Sequence, residues 1–450
     1  MSLTQGFYQL MASKQVKPIL EDNCKAVLSW SLYDWANSAF ATTVMAGFFP
    51  IFFKDFWSLG VDAPESTMRL LVAKIAAGII LALLAPILGA VADQGSSRKK
   101  FLIFFTYMGV VMAIALSCIT RGNWTWAAGV YVLAWLGYAG GNIFYDSLLT
   151  NVAAEKTLDF VSALGYGMGY LGGAILFSLN VWMTLAPDTF GFTDSASAVR
   201  FSFVTVGVWW AVFSIPIFLF VKEPINPARQ TGLKMVSAGL GQLRDTFRQI
   251  RHAKVIFLFL LAYWLYIDAV DTIIHMAVDY GKSLNFDNGV LIKALLLTNF
   301  VGFPAAVIFG WLGGKIGAKR GIFIALGVYL FITIWGAVMR CEREFYIIAL
   351  LIGLVQGGIQ SLSRSFYARL IPSDKTAEFF GFFNMIGKFA ALFGLALMYG
   401  MIFIARCLGY APLIQTRLSI TSISLLFLAG GVILYFVSED KGRQQLEYLS

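Results

Sequence analysis

Runs of about 20 apolar residues, the length that carries a helix across the hydrocarbon core of a bilayer, recur twelve times along this 450-residue chain. They fall at roughly 26–53, 69–92, 101–119, 125–149, 161–185, 201–221, 255–279, 290–314, 321–339, 345–370, 377–405 and 418–437. Inside lipid the backbone has no water to bond, so each run is expected to close its hydrogen bonds within itself as a helix. With 58% apolar residues, 13% charged residues and a mean hydropathy of +0.74, an ordinary soluble protein is excluded. The first 25 residues hold Lys14, Lys17, Glu21 and Asp22 without an apolar core or a small-residue cleavage site, so no removable signal peptide is expected.

The net charge of +9 does not point to nucleic acid. With the N-terminus placed in the cytoplasm, 21 of the 34 Lys and Arg fall on that face and nine on the other, and four (Lys74, Lys293, Arg364, Lys388) lie within spans. That bias orients both termini toward the cytoplasm. Cys24, Cys118, Cys341 and Cys407 are scattered, show no metal or redox spacing, and read as apolar filler near helix ends. His252 and His275 are too few and too far apart for a metal site. No metal and no cofactor is expected.

Two apolar runs carry polar clusters in the same frame, W-x-x-x-D-x-x-[ND]-[ST]. The first is Trp30, Asp34, Asn37 and Ser38; the second, offset by 234 positions (268 minus 34), is Trp264, Asp268, Asp271 and Thr272. A carboxylate at the centre of a bilayer helix costs roughly 2.5–3.5 kcal/mol on the insertion scale. Two such clusters matched across two halves read as a binding site at a repeat interface, hence a secondary transporter. The expected fold is all-α and polytopic, with twelve transmembrane helices in two pseudo-symmetric six-helix bundles, 26–221 and 255–437. A cytoplasmic segment (1–25), a cytoplasmic linker (222–254) and a cytoplasmic tail (438–450) complete it. In the linker, Leu240, Leu243, Phe247 and Ile250 share one face of an expected amphipathic helix, with Arg244, Arg248 and Arg251 on others.

The loops repeat as well. After the second run comes Gly89-Ala-Val-Ala-Asp93-Gln-Gly95-Ser-Ser-Arg98-Lys99-Lys100, and 221 positions later Gly310-Trp-Leu-Gly-Gly314-Lys315-Ile-Gly317-Ala-Lys319-Arg320. Both resemble the loop signature of the major facilitator superfamily. Gly314 stands in the place of Asp93, so a charge latch built on that Asp is expected to be one-sided. Gly140-Gly141-Asn142 and Gly357-Gly358 match in the same way, 217 positions apart. The segments WSLYDWANSAFATTV, FLLAYWLYIDAVDTIIHMAVDYG and GGIQSLSRSFYARLIP with EFFGFFNMIGKFAALFG resemble the superfamily branch of the vacuole effluxers (autophagy-related amino-acid exporters) and of the bacterial unknown major facilitators. The resemblance runs from about Ser29 to Tyr435. It implies the major facilitator fold, alternating access and export of amino acids. The compact loops are closer to the bacterial members, so a bacterial cytoplasmic membrane is the expected location, and a monomer is the expected state.

The expected substrate-binding set is Tyr33, Asp34, Asn37, Ser38, Tyr266, Asp268, Gln360, Arg364 and Lys388. Asp34 is suited to a substrate ammonium group or a proton, or else to a salt bridge with Arg364 or Lys388. Arg364 offers a fork for a carboxylate. Acids on the first and seventh spans with cations on the tenth and eleventh suit a zwitterion; a charge network that binds nothing is the alternative. Asp268, Asp271, His275 and Asp279, spaced 3, 4 and 4 apart, line one helical face. Asp268, Asp271 and His275 are the expected proton-coupling groups, with a structural polar seam as the alternative and Asp279 as a helix cap. Gly89, Asp93, Arg98, Lys99, Gly310, Gly314, Lys319 and Arg320 are the expected gating loops. Gly165, Gly169 and Gly173 are expected to form a packing seam between bilayer helices, and Lys74 and Lys293 to snorkel. Efflux of amphipathic compounds and a non-transporting sensor or scaffold are the competing functions. No nucleophile–base pair, phosphate loop or metal spacing points to an enzyme.

Overall fold

Helices fill the apolar runs because a helix leaves no backbone donor or acceptor facing lipid. The computed structural model describes residues 23–60, 63–223, 230, 232–250, 254–284 and 286–446, and no strand occurs among them. The spans are α1 (Cys24–Trp57), α2 (Ala63–Gly95), α3 (Arg98–Ala115), α4 (Trp124–Ser147), α5 (Leu158–Leu185) and α6 (Ser195–Phe220). After a linker helix, Gly232–Ile250, come α7 (Lys254–Ser283), α8 (Asn288–Ile316), α9 (Ala318–Val338), α10 (Glu342–Leu370), α11 (Thr376–Cys407) and α12 (Leu413–Phe436). Among the described residues eleven helices are long and apolar enough to cross a membrane. The remaining expected span lies in α11, where Phe393–Cys407 is the apolar stretch and the first turns carry Glu378 and Asn384. The expected N-terminal segment lies outside the described residues up to residue 22, as do 224–229, 231 and 251–253 of the linker and 447–450 of the tail.

The chain packs into two compact units. The described part of unit 1 holds α1–α4, α5 from Met168, α6, the linker helix to Leu240, and Ala377–Asn384 of α11. That of unit 2 holds Glu155–Gly167 at the start of α5, α7–α10, the rest of α11, and α12. Unit 1 has an aromatic core: Phe49 of α1 stacks on Tyr131 of α4 at 3.9 Å between ring centroids, and Trp57 stacks on Phe203 of α6 at 5.9 Å. In unit 2 Tyr329 of α9 stacks on Phe427 of α12 at 5.3 Å. Large apolar side chains such as Leu83, Phe104, Trp126, Phe331 and Tyr399 stay exposed, as a surface solvated by lipid allows.

The repeat seen in the sequence has structural counterparts in each unit. Pro86 inside α2 and Pro304 inside α8 lie 218 positions apart (304 minus 86), and neither can donate to the preceding turn. Lys99, at the start of α3, donates to Val221 O at the end of α6 at 2.7 Å. Lys319, at the start of α9, does the same at the end of α12, to Tyr435 O at 2.9 Å and Val437 O at 2.7 Å. Each ammonium satisfies carbonyls that a helix end leaves open. The four cysteines do lie at helix ends, but they are free and exposed rather than filling a core.

Candidate functional site

In unit 1 the polar stripe of α1 is held by α3, α4 and α5. Trp30 Nε1 donates to Tyr145 O at 3.0 Å, and the two rings stack at 4.3 Å. This fixes the Tyr145 hydroxyl, which donates to Asp34 Oδ2 at 2.8 Å. Asn37 Nδ2 donates to Asn142 Oδ1 at 2.6 Å, and the hydroxyls of Tyr33 and Thr106 lie 2.9 Å apart. The Gly140–Gly141 pair is what brings these groups together: a Cβ on Gly141 would lie 2.5 Å from the Tyr33 hydroxyl, and one on Gly140 2.6 Å from the Phe105 ring. Asn37 Oδ1 is buried and has no partner among the described residues. Two residues beyond Ser38, α1 widens into a π-helical stretch, Phe40–Phe48, a local geometry frequent at functional sites.

Two of the three seam glycines meet this stripe. A Cβ on Gly169 would lie 2.6 Å from Ser38 Oγ, and one on Gly173 2.5 Å from Thr42 Oγ1 and 3.1 Å from Ser38 O. Gly165 belongs to the other unit. Gly173→Val should therefore overpack the α1–α5 contact at a cost of about 1–3 kcal/mol, read as a lower melting temperature in detergent. Gly129→Ala on α4, where nothing lies within 4 Å of the new Cβ, should not show it.

In unit 2 Asp268 is fully buried. Its Oδ1 is 3.5 Å from the Thr272 hydroxyl, and its Oδ2 has no partner among the described residues. Gly394 of α11 lets that helix approach, since a Cβ there would meet Thr272 Oγ1 at 2.2 Å and Asp268 Oδ1 at 3.1 Å. The hydroxyls of Tyr266 and Ser363 lie 2.7 Å apart. Arg364, 1% exposed, donates through Nε to Ser162 Oγ at 3.0 Å and through NH2 to Ser162 O at 2.7 Å, and lies 4.2 Å from the centre of the Tyr166 ring. Asp271, Gln360 and Ser38 are half-buried, and Lys293 is exposed. The side chains of Lys74, His275, Asp279 and Lys388 lie outside the described ones.

Each unit also closes a latch. In unit 1 Asp93 accepts the Arg98 Nε–H at 2.7 Å. It also accepts the backbone N–H groups of Ala377 at 3.2 Å and Glu378 at 2.9 Å. It thereby caps the start of α11, whose own N-cap residue, Lys375, makes no side-chain cap bond. Glu223 in turn accepts the N–H groups of Arg98 and Lys99. Gly89 makes room, for its Cβ would lie 2.3 Å from Ala377 O. In unit 2 Asp159, at the start of α5, pairs with Arg369 of α10 at 2.8 Å and accepts the Ser365 hydroxyl. Gly310 gives α5 its room, with a Cβ 2.4 Å from that of Ala163, whereas Gly314 and Arg320 are exposed. The half that lacks an acid at Gly314 thus has a charged latch of its own, built on Asp159 and Arg369, which the sequence comparison of the loops missed. Tyr145, Asn142 and Ser162 are likewise absent from the expected set; Asn142 and Tyr145 follow the Gly-Gly pair in the chain, and Ser162 had no signal. Among the described residues no group of three or more His, Cys, Asp or Glu is placed to hold a metal.

A family model described as "Vacuole effluxer Atg22 like" matches residues 70–447. The uncharacterized MFS-type transporter YxiO of Bacillus subtilis is 36% identical over 414 residues, covering 92% of this chain and 94% of that protein. Autophagy-related protein 22 of Yarrowia lipolytica is 25% identical over 318 residues, 64% of this chain and 52% of the relative, so the match spans about half of the fungal protein. In overall form the chain resembles the proton:xylose symporter XylE (TM-score 0.69, 11% identity, 96% of this chain and 98% of that one). It also resembles the human organic anion transporter MFSD10 (TM-score 0.67, 14% identity, 93% and 99%). Identities so low establish the fold alone, and that fold is the major facilitator fold. The chain is an integral membrane transporter of a small-molecule solute and not an enzyme. It belongs to the vacuole effluxer Atg22-like family of the major facilitator superfamily.

Proposed function

We propose that this transporter exports an amino acid or a related zwitterion in a proton-coupled alternating-access cycle. The observation that carries the reading is the pair of buried charges in unit 2, Asp268 at 0% and Arg364 at 1% exposure. Ionisable groups at bilayer depth are costly and are retained where they act on a solute or an ion. Arg364 is assigned the substrate carboxylate, which would take the place of Ser162 on its planar fork. Asp34 is assigned the ammonium group, with the Tyr145 hydroxyl orienting it. Asp268, with Asp271 and His275, carries the proton, and the open Oδ2 of Asp268 gives it a seat. Tyr33, Asn37, Ser38, Tyr266, Gln360 and Lys388 complete the set. The family description as effluxers supports export. The proposed setting is a monomer in the bacterial cytoplasmic membrane, and the 21 of 34 cationic residues on one face support the orientation with both termini inside.

The test is flux of a radiolabelled amino-acid panel in proteoliposomes under an imposed pH gradient, wild type beside Asp34→Asn, Arg364→Ala and Arg364→Lys. Gradient-dependent counterflow is expected in wild type and lost in all three, Lys keeping the charge but not the fork. Folded protein that moves no amino acid overturns the reading; flux of amphipathic compounds instead establishes the competing one.

A further inference from the structure

Unit 2 contains a narrow, open, almost wholly apolar pocket between α7, α9, α10 and α12. Ile273, Ile332, Ile348, Ile352 and Ile423 supply much of its wall. Its two side-chain hydroxyls are already engaged: Tyr280 donates to Gly336 O at 2.8 Å and Thr333 to Tyr329 O at 2.7 Å. Water entering such a pocket would find too few partners, so an alkyl chain is the occupant its chemistry favours. Beside the pocket is Arg417, in the second turn of α12 and three residues before Ile420 of the wall. Its NH2 donates at 3.1 Å to the carbonyl of Met339, which lines the pocket. Its Nε–H is buried without a partner, and no carboxylate among the described residues forms an ion pair with it. A buried guanidinium donor left open is costly, and phosphate is the acceptor its fork fits. Arg417 lies about one and a half turns from the start of its span, within reach of a lipid headgroup at that end.

We propose that this pocket holds one anionic phospholipid, with an acyl chain between the four helices and the phosphate on Arg417. A headgroup of net negative charge complements Arg417, where the choline cation of a zwitterionic headgroup opposes it, and the apolar wall accepts the tail, so neither a free phosphate nor a zwitterionic lipid satisfies both parts. The site uses none of the residues assigned to solute or proton, and the inference does not depend on those assignments.

Native mass spectrometry of the full chain in detergent tests it, titrating phosphatidylglycerol, phosphatidylcholine of the same chain length, and glycerol phosphate. One phosphatidylglycerol is expected to bind about tenfold more tightly than phosphatidylcholine, whose choline cation is a like charge beside Arg417 and offsets part of the phosphate pair, about 1.4 kcal/mol. Arg417→Gln should bring the two lipids level. Gly336→Leu should weaken both about tenfold, because a Cβ there has no neighbour closer than Ile348 Cδ1 at 4.0 Å and the added side chain has the pocket to fill. Melting curves establish that both variants are folded, and the Arg417→Gln comparison stands alone if Gly336→Leu is not. Equal binding of the two lipids by wild type, or a preference that survives Arg417→Gln, overturns the proposal. So does glycerol phosphate binding as tightly as the lipid, which marks a free-anion site, or transfer of phosphatidylglycerol across proteoliposomes, which marks a cargo.

Discussion

Asp268→Asn should abolish gradient-driven flux while leaving substrate exchange within about twofold of wild type, a difference of less than 0.5 kcal/mol by about 1.4 kcal/mol per tenfold. The side chain keeps its volume and its Oδ1, the atom 3.5 Å from the Thr272 hydroxyl. What changes is the other atom. In the wild type it is a buried oxygen with no described partner, able to take and release a proton; in the variant it is an amide nitrogen that can do neither. Exchange of labelled for unlabelled substrate needs no net proton movement, so it isolates binding and reorientation from coupling. Alanine would confuse the two, because Gly394 packs α11 directly against Asp268 and Thr272, and truncation there opens a cavity. Asn costs less, though the unpaired amide adds about 1–3 kcal/mol of desolvation, visible in the melting temperature. If Asp268→Asn keeps full response to the pH gradient, Asp268 is not the carrier, and the same measurement on Asp271→Asn follows.

The spans and the internal repeat were legible in the sequence because both depend on local pattern. Hydropathy reports which segments can lie in lipid, and the matched frames around Asp34 and Asp268, or Lys99 and Lys319, survive as residue identities. Packing between helices leaves no such trace. Tyr145 orients Asp34 from a position 111 residues away, and Arg364 is held by Ser162 across 202 residues; nothing near either member announces the other. The latch of unit 2 is the sharpest case. Asp93 has its repeat counterpart at Gly314, so the loop comparison found one latch, while the acid that serves the other half sits at the start of a different helix, on Asp159. The π-helical stretch of α1 was equally silent, since Phe-Ala-Thr-Thr-Val-Met-Ala-Gly-Phe reads as an ordinary apolar helix. The cysteines show the limit of compositional argument: their place at helix ends was readable, their exposure was not.

Gly89→Val should break the unit 1 latch outright. A Cβ at that position would meet Ala377 O at 2.3 Å, Ala377 C at 2.6 Å and Glu378 Cα at 2.8 Å. All three are backbone atoms, so no rotamer change relieves the clash, and the start of α11 must move. Displacing it by about an ångström also spoils the bonds from Ala377 and Glu378 to Asp93, 3.2 and 2.9 Å long, which weaken steeply with distance and misalignment. The loss therefore combines overpacking, about 1–3 kcal/mol, with a charged helix cap worth about 1 kcal/mol. In a background without the four native cysteines, Ala377→Cys reports the event, because Ala377 is fully buried in the latched state. Adding Gly89→Val should speed its modification by a thiol reagent at least tenfold, the open population rising as about 1.4 kcal/mol of closure is lost. Asp93→Asn should give a smaller increase, since the cap survives without its charge. Gly78→Ala in the same helix, with nothing within 4 Å of the new Cβ, should leave the rate unchanged. If the latch opens and closes in each transport cycle, flux falls in the same order, Gly89→Val losing most and Gly78→Ala nothing. Unaltered thiol reactivity in Gly89→Val, with transport intact, would show that α2 and α11 are free to separate without consequence, and the latch would then be a packing contact only.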